Sequence, residues 1–207
     1  MDFKTFISKI PSLQSKALNG LDAQFKFAPK MRLQYNEEKI KAQNPRRAAV
    51  LAFFYPDEEH NTRFLLTQRA SYNGTHSAQI SFPGGKYDEV DNNLQETALR
   101  EAFEEVSILN ETVKIVREIT DVYIPPSNFL ATPFIGYSNS KPNFIPNEEV
   151  AEIIEVKLED LLNDNNITTI NITTSYAKNL EVPCFKLNDY IVWGATAMML
   201  SEIRELF

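Results

Sequence analysis

Three glutamates, Glu101, Glu104 and Glu105, follow directly behind Arg100 in the stretch "TALREAFEEVSI" that ends at Ile108. If this stretch is helical, residues three and four apart face each other across a turn. Glu101 then repels both Glu104 and Glu105, at roughly 0.2–0.5 kcal/mol per pair. The carboxylates also crowd toward the C-terminal end, where the helix macrodipole disfavours negative charge. A solvated acidic face is the commoner meaning of such a run. Here the unfavourable position and the convergence of three carboxylates point instead to a hard divalent cation, Mg²⁺ or Mn²⁺, which prefers oxygen ligands. Bound there, the ion would turn mutual repulsion into attraction.

The helix must be held so that these groups converge. On a wheel of about 100° per residue, Glu104 and Glu105 fall within about 60° of Glu101. Leu99, Ala102, Phe103 and Val106 fall on the other side, so Leu99, Phe103 and Val106 are expected to pack inward on a sheet. Ahead of the helix stands the turn Pro83-Gly84-Gly85. Without a Cβ, those glycines let the backbone come close to a bound group.

The sheet is legible as short apolar runs bounded by turn residues, at 48–55, 63–69, 78–82, 113–119, 121–124, 131–137 and 151–158. A short helix near 158–164, a Thr/Ile-rich hairpin over 168–186 and a closing amphipathic helix over 193–207 complete the chain. Residues 1–44 read as a helical docking appendage with a break near Pro11, and 45–207 as the main domain. Strands interleaved with few helices predict an α/β or α+β sandwich around a mixed sheet.

The whole chain narrows the function. Its 207 residues are 43% hydrophobic and 24% charged, enough for a sizeable core. A net charge of −7 excludes a broad nucleic-acid surface, while leaving room for a local basic pocket. The single cysteine, Cys184, allows no intramolecular disulfide and no zinc cluster. With no apolar leader or membrane span in sight, a cytoplasmic protein is expected, with no membrane partner. A homodimer is compatible with all of this.

The residues "GG…REAFEEVSI" resemble the Nudix box, G-x5-E-x7-R-E-U-x-E-E-x-G-U with U apolar. Arg100, Glu101, Ala102, Glu104 and Glu105 match its second half. Fourteen residues separate Gly85 from Arg100 where the general box has thirteen, so the first glutamate position falls around Asp91 and Asn92. The last glycine is Ser107. The resemblance implies an α/β/α sandwich around a mixed β-sheet and hydrolysis of a nucleoside diphosphate linked to another group. Glu101, Glu104 and Glu105 would hold Mg²⁺ or Mn²⁺, and Arg100 would orient a box glutamate.

The lengthened loop, "FPGGKYDEVD" before "TALREAFEEV", is similar to the coenzyme A pyrophosphatase branch of that family. Leu65-Leu66-Thr67, Arg69 and Phe82-Pro83-Gly84-Gly85 match the branch's upstream signature. Ala70, Gly74 and Ala78 depart from it. The similarity covers about residues 46–207 and implies cleavage of coenzyme A into 3′,5′-ADP and 4′-phosphopantetheine or its acyl form. It assigns Arg69, Phe82, Gly84, Gly85 and Lys86 to the substrate, with Arg69 on a phosphate. Glu149 is either the activator of water or a solvated loop acid, His76 a loop residue lining the site, and Trp193 a core residue. ADP-ribose, a dinucleotide or an oxidised nucleotide is the alternative substrate, and a nucleotide sensor that does not cut is the alternative class.

Overall fold

The computed structural model describes residues 1–70, 79–173 and 179–207. Helices α1 (Phe3–Ser15), α2 (Gly20–Phe25) and α3 (Glu37–Ala42) precede strand β1 (Arg46–Pro56). Strands β2 (Thr62–Arg69), β3 (Ile80–Ser81) and β4 (Gly84–Lys86) lead into helix α4 (Leu94–Val106). Strands β5 (Lys114–Glu118), β6 (Val122–Ile124), β7 (Phe129–Tyr137) and β8 (Val150–Lys157) follow, then helix α5 (Leu158–Leu162). Strands β9 (Ile167–Ile172), β10 (Leu180–Leu187) and β11 (Tyr190–Val192) form a separate small sheet, and α6 (Gly194–Leu206) closes the chain.

β1 sits in the middle because it is apolar in both phases of the pleat, as a strand covered on both faces must be. Ala48, Ala52 and Phe54 join one core, and Ala49, Leu51, Phe53 and Tyr55 the other. β1 and β7 run parallel, in register from Arg46↔Phe129 to Phe54↔Tyr137. Every other pairing in the large sheet is antiparallel, which makes it mixed. α4 covers the face of Ala49 and Leu51, while α1, α2 and α6 cover the opposite face. The result is the expected α/β/α sandwich. Among the described residues no helix is long and apolar enough to cross a membrane.

Residues 1–44 supply part of that second core. Phe6 is fully buried and stacks on Phe54, 5.2 Å between ring centroids, and on Phe207 at 6.0 Å. α1 does not break near Pro11 as expected, but continues to Ser15. Pro11 removes one helical hydrogen bond. Burial of Phe6 before it and Leu13 after it holds both halves to the same core.

α4 meets the sheet through a different stripe from the one the wheel suggested. Ala98, Ala102 and Val106 are buried, whereas Phe103 is 46% exposed and Leu99 only half-buried. Alanines at i and i+4 let the helix axis approach β1 closely, and a Phe in that stripe would hold it off. The helix is thereby rolled by roughly 60° from the expected setting. Phe103 is turned outward and Glu105 is carried to the edge of the interface. Phe82, expected at the substrate, is 2% exposed and packs with its ring toward Phe64.

Candidate active site

Both ends of α4 are fixed by local chemistry. Asn93 Oδ1 accepts from the Glu96 N–H at 3.0 Å, and the Glu96 carboxylate accepts from the Asn92 N–H at 2.9 Å, a reciprocal cap. At the other end Ser107 takes a left-handed backbone, φ 60° and ψ 32°, where glycine is the common choice. A helix C-terminus leaves carbonyls without helical partners. Two of them are used to dock the loop before β8: Ile145 N–H donates to Val106 O at 3.2 Å and Asn147 N–H to Glu105 O at 2.9 Å. That docking delivers Glu149 to the acidic end of the helix.

The two glycines make room for the helix's carboxylates. β4 pairs with β1 so that Gly85 lies opposite Ala49 and Gly84 opposite Val50. A Cβ on Gly85 would stand 2.4 Å from the Glu101 carboxyl carbon, so the missing side chain is the space that Glu101 fills. A Cβ on Gly84 would stand 2.3 Å from the Ala49 carbonyl oxygen, and its φ of 154° is rare for any residue with a side chain. The Gly84 N–H donates to Glu105 Oε2 at 3.1 Å. Arg69, at the end of β2, sets one guanidinium nitrogen 3.6 Å from Glu105 Oε1 and another 2.9 Å from Glu149 Oε2.

Arg100 organises the outer side. It donates to Asp91 at 2.9 and 3.0 Å, to Glu101 at 2.9 Å, to Glu104 at 3.2 Å and to the Lys86 carbonyl at 3.2 Å. Asp91 also accepts from the buried Thr97 hydroxyl at 2.8 Å. The ambiguity between Asp91 and Asn92 is therefore resolved. Asp91 is the acid that clamps Arg100, as counting forward from Gly85 would have indicated, and Asn92 serves the helix cap. Arg100 does not pair with Glu96, which the cap occupies.

Electrostatics divides the acids into two groups. Hydrogen bonds from Arg100 outweigh the burial of Asp91 and bring its carboxyl down to about 2. Glu105, with 6% of its side chain exposed, is pushed up to about 7 by desolvation, against the opposing pull of the Gly84 N–H and Arg69. Burial raises Glu101 as well, although Arg100 opposes it. In both side chains burial outweighs the cation beside them.

Among the described residues, no three Asp, Glu, His or Cys side chains stand close enough together to hold an ion as they are. Glu101 and Glu105 both reach the Gly84–Gly85 strand, whereas Glu104 is half-exposed and turned to Arg100. The donor set nevertheless suits a hard divalent cation. All its donors are oxygen, its two inner carboxyls are desolvated, and the third sits on a solvated arm. Lys86 is exposed at the end of β4. Gly74, His76 and Ala78 lie outside the described residues.

Comparison with known proteins gives the family. The model of the NUDIX domain matches residues 45–174. A Pectobacterium atrosepticum protein named uncharacterized Nudix hydrolase NudL is 33% identical over 183 residues, covering 86% of this chain and 91% of its own. Arabidopsis thaliana Nudix hydrolase 15, mitochondrial, is 34% identical over 163 residues, 75% of this chain and 56% of its own. In fold, the chain is similar to RenU, a Nudix hydrolase from M. smegmatis, with a TM-score of 0.56 at 18% identity over 78% of this chain and 85% of that one. A MutT/nudix family protein from Enterococcus faecalis gives a TM-score of 0.52 at 14% identity, covering 87% of this chain and 75% of that one. The domain match and the relatives show that the chain belongs to the Nudix family of hydrolases, enzymes that act on the diphosphate bonds of nucleoside diphosphate derivatives and generally use a divalent metal ion.

Proposed function

We propose that this chain is a diphosphohydrolase of coenzyme A and its derivatives, dependent on Mg²⁺ or Mn²⁺, acting in the cytoplasm and releasing 3′,5′-ADP and 4′-phosphopantetheine or its acyl form. One observation carries the reaction: Glu101 and Glu105 converge on the Gly84–Gly85 strand beside Arg69, so carboxylates and a phosphate-binding cation share one edge. Glu101, Glu104 and Glu105 would hold the ion. When bound, it supplies charge neutralisation at the diphosphate oxygens and lowers the pKa of water.

The remaining work falls to the chain itself. Arg69, beside Glu105, and the exposed Lys86, on β4 itself, bind phosphate oxygens, Arg69 with a fork suited to two of them. Gly85 leaves the space that the Glu101 carboxylate fills, and the Gly84 N–H holds Glu105. Arg100 holds Glu101 and Glu104 in place and is itself fixed by Asp91. Glu149 accepts the proton of the attacking water as its oxygen bonds to one phosphorus and the bridging P–O bond breaks.

The coenzyme A assignment rests on Leu65-Leu66-Thr67, Arg69 and Phe82-Pro83-Gly84-Gly85, and the position of Arg69 beside Glu105 supports it. Ala70, Gly74 and Ala78 favour a second reading with the same reaction on ADP-ribose or a dinucleotide. A sensor that does not cut would have little use for all of Glu101, Glu104 and Glu105. A substrate panel with Mg²⁺ or Mn²⁺, containing coenzyme A, acetyl-coenzyme A, ADP-ribose, NADH, diadenosine polyphosphates and 8-oxo-dGTP, tests these readings. Coenzyme A should give 3′,5′-ADP. Turnover of ADP-ribose alone would move the protein to the second reading, and silence on all of them would favour the sensor.

A further inference from the structure

Arg69 has three hydrogen-bonding edges in three different states. One terminal nitrogen donates to Glu149 Oε2 at 2.9 Å, and the other lies 3.6 Å from Glu105 Oε1. The Nε–H is buried and has no hydrogen-bond partner among the described residues. A buried donor left open is costly and calls for an acceptor. The ladder between β2 and β8 shifts register between Gln68 and Arg69, a bulge that re-aims the side chain out of the sheet and toward the box helix.

Glu149 is built differently. Its backbone is fixed on both sides: its N–H donates to Asn147 Oδ1 at 2.9 Å, and its carbonyl accepts from the Ala70 N–H at 2.8 Å. Asn147 is in turn tied to the end of α4 through the Glu105 carbonyl. The Glu149 side chain is 58% exposed. The loop therefore keeps Glu149 at the site while the carboxylate remains free to rotate, and its only described charge partner is Arg69.

An exposed ion pair of this kind is weak. A diphosphate carries at least two negative charges against the single charge of a carboxylate and offers the guanidinium fork two parallel hydrogen bonds, so it is the stronger ligand. We propose that Arg69 and Glu149 form a latch in which Glu149 occupies the phosphate's place on Arg69 until substrate arrives and displaces it. Arrival of the diphosphate then releases a carboxylate beside Glu101 and Glu105 when the attacking water needs a proton acceptor. This inference rests on the reading of Arg69 as a phosphate contact given above.

Calorimetric titration with ADP, in EDTA so that no divalent ion takes part, separates the two ideas. Arg69→Ala should weaken ADP binding; unchanged affinity would sink the phosphate contact itself. Glu149→Gln should tighten ADP binding roughly two- to fivefold, the span of an exposed ion pair, and the gain should vanish in the Arg69→Ala background. A gain of equal size in that background would mean that Glu149 repels phosphate without a latch. No gain in the single variant, or no ADP binding by any of the proteins, would also overturn the proposal. If Arg69→Ala does not fold, judged by its thermal melt, Arg69→Gln takes its place. Kinetics with metal add a second readout: the latch predicts that Glu149→Gln lowers KM together with kcat, whereas a pure proton acceptor lowers kcat alone.

Discussion

Alanine at Gly85 and alanine at Gly84 should have opposite consequences, although the two residues are adjacent on one strand. At Gly85 the atoms nearest a Cβ are the carboxyl end of Glu101, 2.4 Å from its carbon and one oxygen, and the backbone there is not in the left-handed region. A flexible side chain can swing away, and alanine restricts the unfolded chain, a gain of about 0.4–1 kcal/mol. Stability should therefore stay within about 1 kcal/mol of the parent. The displaced Glu101 is a proposed metal ligand, and a misplacement of about 1 Å costs on the order of 10²-fold in rate. At Gly84 the Cβ meets backbone, the Ala49 oxygen at 2.3 Å and the Val50 Cα at 2.6 Å, in a strained φ. Strain of about 1–3 kcal/mol and overpacking of about 1–3 kcal/mol should both apply. Urea melts and steady-state hydrolysis with Mg²⁺ are the assays. A Gly85→Ala enzyme with parental turnover, or a Gly84→Ala protein with parental stability, would refute the account of this strand.

Because Phe103 faces outward, Phe103→Ala should cost less than about 1.5 kcal/mol, against about 3–5 kcal/mol for a buried Phe, with denaturant melts as the check. Ser107→Gly relieves a left-handed backbone but loses the Ser107 hydroxyl bond to the Ile145 carbonyl at 3.2 Å. The expected net gain is about 0.5 kcal/mol, and a loss above 1 kcal/mol would show that the bond to the loop dominates. Without divalent ions, Glu105 holds its proton more tightly folded than unfolded, so its contribution to stability is fully present below about 4.5 and is lost as pH rises through about 7. A shift of that size corresponds to about 3 kcal/mol, and Glu105→Gln should flatten this part of the pH profile in melts done with EDTA. Asp91 has the opposite sign: its contribution is present above 3.8 and is lost as pH falls through about 2.

The strands were legible because β1, β2 and β7 carry continuous apolar runs punctuated by Pro, Asn and Gly, and the acidic helix because Arg100, Glu101, Glu104 and Glu105 follow one spacing. What misled was the face of that helix. A wheel ranks residues by hydropathy, so Phe103 outweighed Ala98, whereas the contact with β1 is set by how closely the axes approach, which favours small side chains. Phe82 belongs to a motif that implies substrate contact, and only the packing shows its ring directed into the core. Pro11 was read as a break because its local penalty is visible in sequence and the burial of Phe6 and Leu13 on either side of it is not. Asp91 could have been found by counting from Gly85, but two registers were open until Arg100 was seen to choose between them. The Arg69–Glu149 contact joins residues eighty apart in sequence, beyond the reach of any local pattern.

If the carboxylates of α4 hold a divalent ion that hydrolysis requires, Glu105→Gln should remove both the ion and the activity. The substitution keeps the shape and removes one charge from a side chain that is almost fully buried. Turnover of coenzyme A to 3′,5′-ADP, measured by chromatography with saturating Mg²⁺ or Mn²⁺, should fall by orders of magnitude. Mn²⁺ binding measured by electron paramagnetic resonance should weaken in parallel, while the metal-free protein melts at or above the parental temperature. Turnover and Mn²⁺ affinity near those of the parent would contradict the account.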